Sequence, residues 1–487
     1  MIADLTRRSL FAGAGALAAV AALPLDAWAA APGGAADWAL AVHDIEGDIA
    51  PRALRLVQGR PPAGLRGTLY RNGPGKFTRG GTRTHWFDGD GLVRAFRIGE
   101  GRATLAGKFV DTPKRRTETE AGAMIVPGFG NPGSPTASVA RADDLNAANT
   151  AMLAVGGKLW ALWEAGSPSA IDPATLDSRG FVTLRPDLAG MPFLAHPRVE
   201  PDGRVWNLGM FGEQAVIWLL SADGALEAAT PLRLPRASYV HDFTATDREL
   251  VIVLQPWIRE KLGAPVVAGM KWRPELGTQV LVLDKSDLSK RRTYELPAVS
   301  FYHLGDAWRE PDGTIRFDGC FGQDVTHTMN DIGRVTAGEP YLATPARLAM
   351  IALGPNGDAR LEWTQTSAEF PQVDRRRAGL PRRYTWHVTG DGRQPLPRAL
   401  AATDWKRGRT ERFDFPTAHV VEEAVFVPRP GSASEGDGWL VGTSINLAAR
   451  ATELHVFDAR RLAAGPVCSW RADLAMPMGF HGTFVPG

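Results

Sequence analysis

One pattern constrains this chain above all others: a short apolar run followed by a turn that glycine closes cheaply. Asp202-Gly203, Asp223-Gly224, Asp312-Gly313, Asn356-Gly357 and Asp437-Gly438 each fall between runs rich in Val, Leu, Ile, Phe and Trp. Glycine takes a positive φ without steric cost, and Asp or Asn before it bonds back to its own backbone, so each pair reads as a hairpin. The runs at 67–71, 91–97, 158–163, 204–208, 249–254, 278–283, 314–318, 439–443 and 453–457 are of strand length. This text continues from about residue 38 to the last residue, and the 53 Gly, 36 Pro and 15 Trp match many tight turns rather than long helices. So many hairpins over such a length predict a β-propeller rather than a sandwich. No strict repeat is visible, so the residues give no blade count.

Nothing reads as a linker, so residues 31–487 are expected to form a single domain. A formal net charge of +2, with no basic stripe, gives no case for nucleic acid. The two cysteines, Cys320 and Cys468, form no metal-binding spacing. Two separate buried thiols or one disulfide made after export both fit. The first thirty residues read as a targeting segment. Arg7-Arg8 precede an apolar, small-residue run over 12–25, and Ala27-Trp28-Ala29 has the small-x-small form of a cleavage site. This predicts a twin-arginine export signal over 1–30 and a periplasmic protein. The run is too short for an ordinary membrane span.

Two stretches break the strand pattern. Residues 112–126 are polar and then 127–136 are Gly/Pro-rich, which predicts a helix and a loop. Residues 255–274 form a long insertion carrying Trp257, Ile258, Leu262, Val266, Val267 and Trp272. Such insertions cap the face where a ligand enters. Its composition suits either a lid over the propeller or a peripheral membrane contact.

Four of the ten histidines sit in apolar, glycine-punctuated settings. They are His196 after Phe193-Leu194-Ala195, His241 between Val240 and Asp242-Phe243, His303 after Phe301-Tyr302, and His481 within Gly479-Phe480-His481-Gly482. The last is odd for a chain end, since termini fray and are polar; this one is expected to pack inside. The four lie 45, 62 and 178 residues apart, and none belongs to a local metal motif. A lone histidine in an apolar strand is most often a satisfied core residue. A propeller changes that, because each blade sends its innermost strand to the axis and distant ligands can meet there. We therefore read the four imidazoles as meeting at one metal.

Here the chain resembles the carotenoid cleavage oxygenase family, from about Gly67 to Gly487. Tyr70-Arg71-Asn72-Gly73-Pro74 and His85-Trp86-Phe87-Asp88-Gly89-Asp90-Gly91 are similar to its opening signatures. The four histidine motifs follow in the family's order, and Val425-Phe426-Val427-Pro428-Arg429-Pro430 and Asp437-Gly438 also match. The resemblance implies an all-β, seven-bladed propeller with a loop and helix cap over the metal-bearing face. It implies Fe(II) held on the axis by His196, His241, His303 and His481. Behind three of them it places Glu164, Glu369 and Glu423. A ligating imidazole must be neutral, and its other N–H needs an acceptor; buried carboxylates also offset the metal's charge. Beside an open coordination position it places Thr150. His85 lies in a signature but not at a ligand position, and His43, His327, His387, His419 and His455 read as structural.

The implied activity is oxidative cleavage of a carbon–carbon double bond with O2 to give two carbonyl products. Stilbene-cleaving members of the family carry a lysine before the first glutamate, and with a tyrosine it grips the substrate phenol. Trp163 stands there in this chain, which favours an apocarotenoid or carotenoid over a stilbene or phenylpropanoid. Two readings from other classes are an exported propeller that only binds a ligand and a calcium-dependent propeller lactonase. The histidine-rich set argues against the second, which relies on carboxylate and Asn ligands.

Overall fold

The computed structural model describes residues 37–325, 335, 345–390, 396–416 and 418–487. The predicted export segment and His327 lie outside them. Seven antiparallel sheets of four to six strands form the body, and these are the seven blades of a β-propeller. The first sheet runs Ile49–Ala53, Arg102–Phe109, Asp90–Gly99, Gly67–Arg71, Gly482–Pro486 from rim to axis. Its innermost strand therefore comes from the end of the chain. The seventh begins at the rim with Arg55–Gly59 and ends on the axis with His419–Pro428. Both ends of the described chain are stitched into blades, which closes the ring. The other innermost strands are Ala151–Val155, Arg198–Val199, Thr244–Ala245, Ser300–Arg309 and Glu369–Gln372.

Packing explains why the strands read as unbroken apolar runs. A blade has a neighbour on each face, so both sets of alternating side chains are covered. Glu249–Leu254 is buried at every position. Val253, Phe317 and Ile351 fill the space between the fourth and fifth blades, and Leu69, Phe96, Val441 and Trp470 that between the first and the seventh.

The turn signals were real, but the turns are not the two-residue hairpins that the dipeptides favour. At Gly203, Gly224, Gly313 and Gly357 the glycine N–H bonds the carbonyl three residues back, at Glu200, Ser221, Glu310 and Gly354. Each glycine has a φ between 77° and 94°. This is a β-turn followed by a left-handed glycine, which leaves room for Pro201, Pro311 and Pro355. The carboxylates of Asp202 and Asp312 accept the N–H of Arg204 and Thr314, closing the loop from inside. Asp437-Gly438 differs: Gly436 carries the positive φ, and Gly438 already pairs in the strand with Pro428.

The cap also follows the sequence. Pro113–Ala121 is an α-helix, with the Thr112 hydroxyl accepting the N–H of Arg115 and Gly122 in the left-handed region at its end. In the insertion, Trp257–Arg259 pairs with Met270–Trp272. Val266 and Val267 then donate their N–H to the carbonyls of Gly128 and Phe129. The insertion thus folds onto the 127–136 loop as a lid, while Leu262 remains 64% exposed. No helix among the described residues is long and apolar enough to cross a membrane. Cys320 and Cys468 are both buried free thiols, in the fifth and seventh blades, and burial pushes the Cys468 thiol up to about 12.

Candidate metal centre

The seven innermost strands divide the site among them. His481 immediately precedes the axial strand of the first blade, and His196 and His241 lie just before those of the third and fourth. His303 is within that of the fifth. Glu369 opens the axial strand of the sixth, and Glu423 lies in that of the seventh. Thr150 stands just before that of the second, and Glu164 follows its neighbour, Lys158–Leu162. The eight residues singled out in the sequence thus converge from all seven blades.

The four imidazoles offer ligand atoms that all lie within 4.8 Å of one another. His196 Nε2 is 3.0 Å from His241 Nε2, and His481 Nε2 is 3.0 Å from His303 Nε2. Two nitrogens bound side by side to one octahedral ion, at about 2.1 Å each, stand about 3.0 Å apart. The outer nitrogens are committed. His241 Nδ1 donates to Glu164 at 2.7 Å and His481 Nδ1 to Glu423 at 2.9 Å, and His303 Nδ1 donates to Glu369. With the proton on Nδ1, a neutral ring turns an Nε2 lone pair toward the axis. Three lone pairs aimed at one point repel unless a cation sits among them, so the donor set fits a metal ion. His196 has no carboxylate within ion-pair distance among the described residues; its ring packs edge-on to His481, with centroids 4.5 Å apart.

Burial and the neighbouring imidazoles hold His196 well below the usual histidine range. Burial also brings His481 down to about 4, against the pull of Glu423. For His303, burial acts downward but Glu369 outweighs it and the net shift is up. Glu423 is pulled up by burial, yet His481 and Arg71 turn its net shift downward, keeping it ionised.

The opening signatures now have physical roles. Arg71, wholly buried, donates to the carbonyls of Glu423 and Phe480. Asn72 exchanges backbone bonds with His481 and Phe480, and its side chain bonds the carbonyls of Ala148 and Ala151. Glu422 accepts the N–H of Gly479 and lies 3.8 Å from Arg71 and 3.5 Å from Arg94. The first signature and the Glu422-Glu423 pair therefore clamp the segment that carries His481. In the second signature, Asp88 accepts the N–H groups of Phe129, Gly130 and Asn131 and pins the cap loop. Gly91 passes under Ala148 so closely that a Cβ would fall 2.2 Å from its carbonyl oxygen.

Sequence reasoning passed over Glu422, Arg94, Tyr239 and Arg198. Tyr239 donates to Glu164 at 3.0 Å, and Arg198 bridges Asp242 and Asp306 beneath the histidines. A signal existed for Glu422. Two adjacent carboxylates in an apolar strand need cations, and a register shift between Val421 and Ala424 lets both be used.

Above the histidines opens a cavity of about 680 Å³, roofed by the cap. Its wall is aromatic: Trp86, Phe87, Phe129, Trp163, Tyr239, Tyr302, Phe370 and Phe480. Thr150 also lines it; its hydroxyl donates to Asn149, and its carbonyl accepts the N–H of His481. Such a site takes a flat apolar molecule and brings it against the metal centre.

Comparison with known proteins agrees with this geometry. The family model described as RPE65, retinal pigment epithelial membrane protein, matches residues 43–486. Apocarotenoid-15,15'-oxygenase of Synechocystis is 29% identical over 92% of this chain and 94% of its own. Lignostilbene-alpha,beta-dioxygenase isozyme III of Sphingomonas paucimobilis is 27% identical over 91% of this chain and 94% of its own. A solved structure of a Synechocystis apocarotenoid oxygenase mutant is 25% identical, covers 93% of this chain and 98% of its own, and superposes with a TM-score of 0.83. Seven blades, four converging imidazoles and a matched span from 43 to 486 make the chain a member of the RPE65 family, that of the carotenoid oxygenases.

Proposed function

We propose that this oxygenase is a non-haem Fe(II) dioxygenase that cleaves a carbon–carbon double bond of an apocarotenoid or carotenoid. The observation that carries the reading is the four-imidazole cluster at the floor of an aromatic cavity. His196, His241, His303 and His481 would hold the iron, which when bound supplies the activation of dioxygen. The protein's own part is to bind, orient and exclude water. Glu164, Glu369 and Glu423 hold a proton at Nδ1 of their histidines and so fix ring orientation. Thr150 lines the cavity with its hydroxyl engaged by Asn149, and its methyl would serve as a small apolar wall beside the imidazoles. Trp163 and the other aromatics line up the alkene along the cavity. No proton donor or acceptor is required for the cleavage itself.

A second reading, a stilbene or phenylpropanoid substrate, draws on the hydroxyls of Tyr239 and Tyr302 in the cavity wall and on the lignostilbene-cleaving relative. The deciding experiment gives iron-loaded protein a mixture of apocarotenoids and hydroxystilbenes in air, with products read by mass spectrometry. Shortened polyene aldehydes are expected. Aromatic aldehydes alone would replace the substrate class, and no cleavage with iron bound would overturn the dioxygenase reading. Export over residues 1–30 belongs to the same proposal: Arg7-Arg8 and Ala27-Trp28-Ala29 support it. Folded export would let iron load before zinc and copper compete for a nitrogen site. Stoichiometric zinc in active protein would refute that argument.

A further inference from the structure

The cavity lining carries few charges, and nearly all are spoken for. Asp88 is consumed by three backbone N–H groups, Glu164 by Tyr239 and His241, and Glu369 by His303. On the cationic side, Arg141 pairs with Asp144 at 3.2 Å. Arg259 is the exception. It lines the cavity from the lid ribbon and is half-buried. It makes no ion pair with any described residue, and its buried Nε has no hydrogen-bond partner. Among the described residues no carboxylate counters the burial that lowers its pKa. A guanidinium half out of water, in an aromatic cavity, costs free energy unless an anion meets it.

Its position says where that anion would lie. Tyr239 bonds Glu164 beside His241, and the Trp257 ring packs on Tyr239 with centroids 4.9 Å apart. Arg259 is two positions further along the same strand, about 6.6 Å on and on the same face. Ser238 pairs with Ile258, and Arg259 donates its N–H to the carbonyl of Ala237, so from metal centre to lid the lining runs His241, Tyr239, then Ala237 and Arg259. An extended molecule lying on this wall has its reacting bond at the histidines and its far end at the guanidinium. Arg presents a planar fork that matches a carboxylate with two parallel N–H···O bonds.

We propose that Arg259 is a specificity-determining residue that binds the terminal carboxylate of a linear polyene, making an apocarotenoic acid the preferred substrate over the aldehyde. This rests on the polyene-cleaving reading above, and two independent readouts separate the two. The first is binding, by quenching of tryptophan fluorescence in metal-free protein, with an all-trans apocarotenoic acid and the aldehyde of equal chain length. The second is kcat/KM for the same pair with iron-loaded protein. The wild type is expected to favour the acid by about tenfold to a hundredfold. In Arg259→Met the acid-to-aldehyde ratio should fall to near one, and Arg259→Lys should restore part of it. If the wild type binds acid and aldehyde equally, the proposal fails. It also fails if Arg259→Met weakens both alike, which would mark Arg259 as a structural lid residue. An acid preference in binding, lost in Arg259→Met, with no cleavage of either probe would leave this assignment standing and sink the polyene-cleaving activity instead. Should Arg259→Met not fold, the wild-type ratio and the Lys variant still decide.

Discussion

Two carboxylate–imidazole pairs at the centre do the same local task in opposite surroundings. Glu423 and His481 sit inside a cage of charge, and the Glu423 side chain is 1% exposed. Arg71 and Arg94 face Glu422 and Glu423 there, with Thr443, Gly479 and Gly482 supplying further hydrogen bonds. Glu164 and His241 instead face the cavity, where the Glu164 side chain is 22% exposed and its added partner is one tyrosine hydroxyl. The first pair is part of the ring closure, since it fixes the segment leading into the last strand. The second can change its environment when a ligand arrives. The same chemistry is thus tied to folding on one side and to binding on the other.

Charge removal should break the symmetry most strongly on the closed side. Glu423→Gln leaves the buried Arg71 short of one counter-charge. We expect a loss of about 3–5 kcal/mol of stability in denaturant unfolding of metal-free protein. Metal affinity in a chelator competition should also fall by about tenfold to a hundredfold. Glu164→Gln should show the affinity loss without the stability loss, because water and Tyr239 can still solvate the site. Equal destabilisation by both variants would show that the two environments do not matter.

Tyr239→Phe sharpens the open side. It removes one donor to Glu164 but leaves His241 in place, so stability should move by about 1 kcal/mol or less and metal content should stay stoichiometric by elemental analysis. Loss of metal in this variant would mean that the hydroxyl, and not the carboxylate alone, orients His241. The smallest effect is expected far from the centre. Neither Cys320 nor Cys468 should react with a thiol reagent at neutral pH until the protein is unfolded, since both are buried and the Cys468 thiol lies near 12. Fast labelling of either would show that blade five or seven opens.

How far the two sides could be read in advance depended on the family resemblance, whose motifs pointed to both Glu164 and Glu423; Glu164 also ends an apolar run. Their companions did not stand out, because a buried Arg such as Arg94 or Arg198 looks like any strand arginine until its partners are known. Arg259 is equally silent: only the missing carboxylate around it is informative, and a sequence does not show an absence in space.

By itself the sequence determined the strand-and-turn grammar, because apolar runs and glycine turns act over a few residues. It also determined the four histidine motifs, as local settings too apolar for surface residues. What only the tertiary structure decided is which distant residues meet. The ring of seven blades brings His196 and His481, separated by most of the chain, to one axis. Its closure by Gly482–Pro486 beside Gly67–Arg71 turns a chain end into an interior strand. The physical reason is that a blade cannot cover its own faces. Each is buried only by its neighbours, so the charges on the axis are balanced by the ring as a whole.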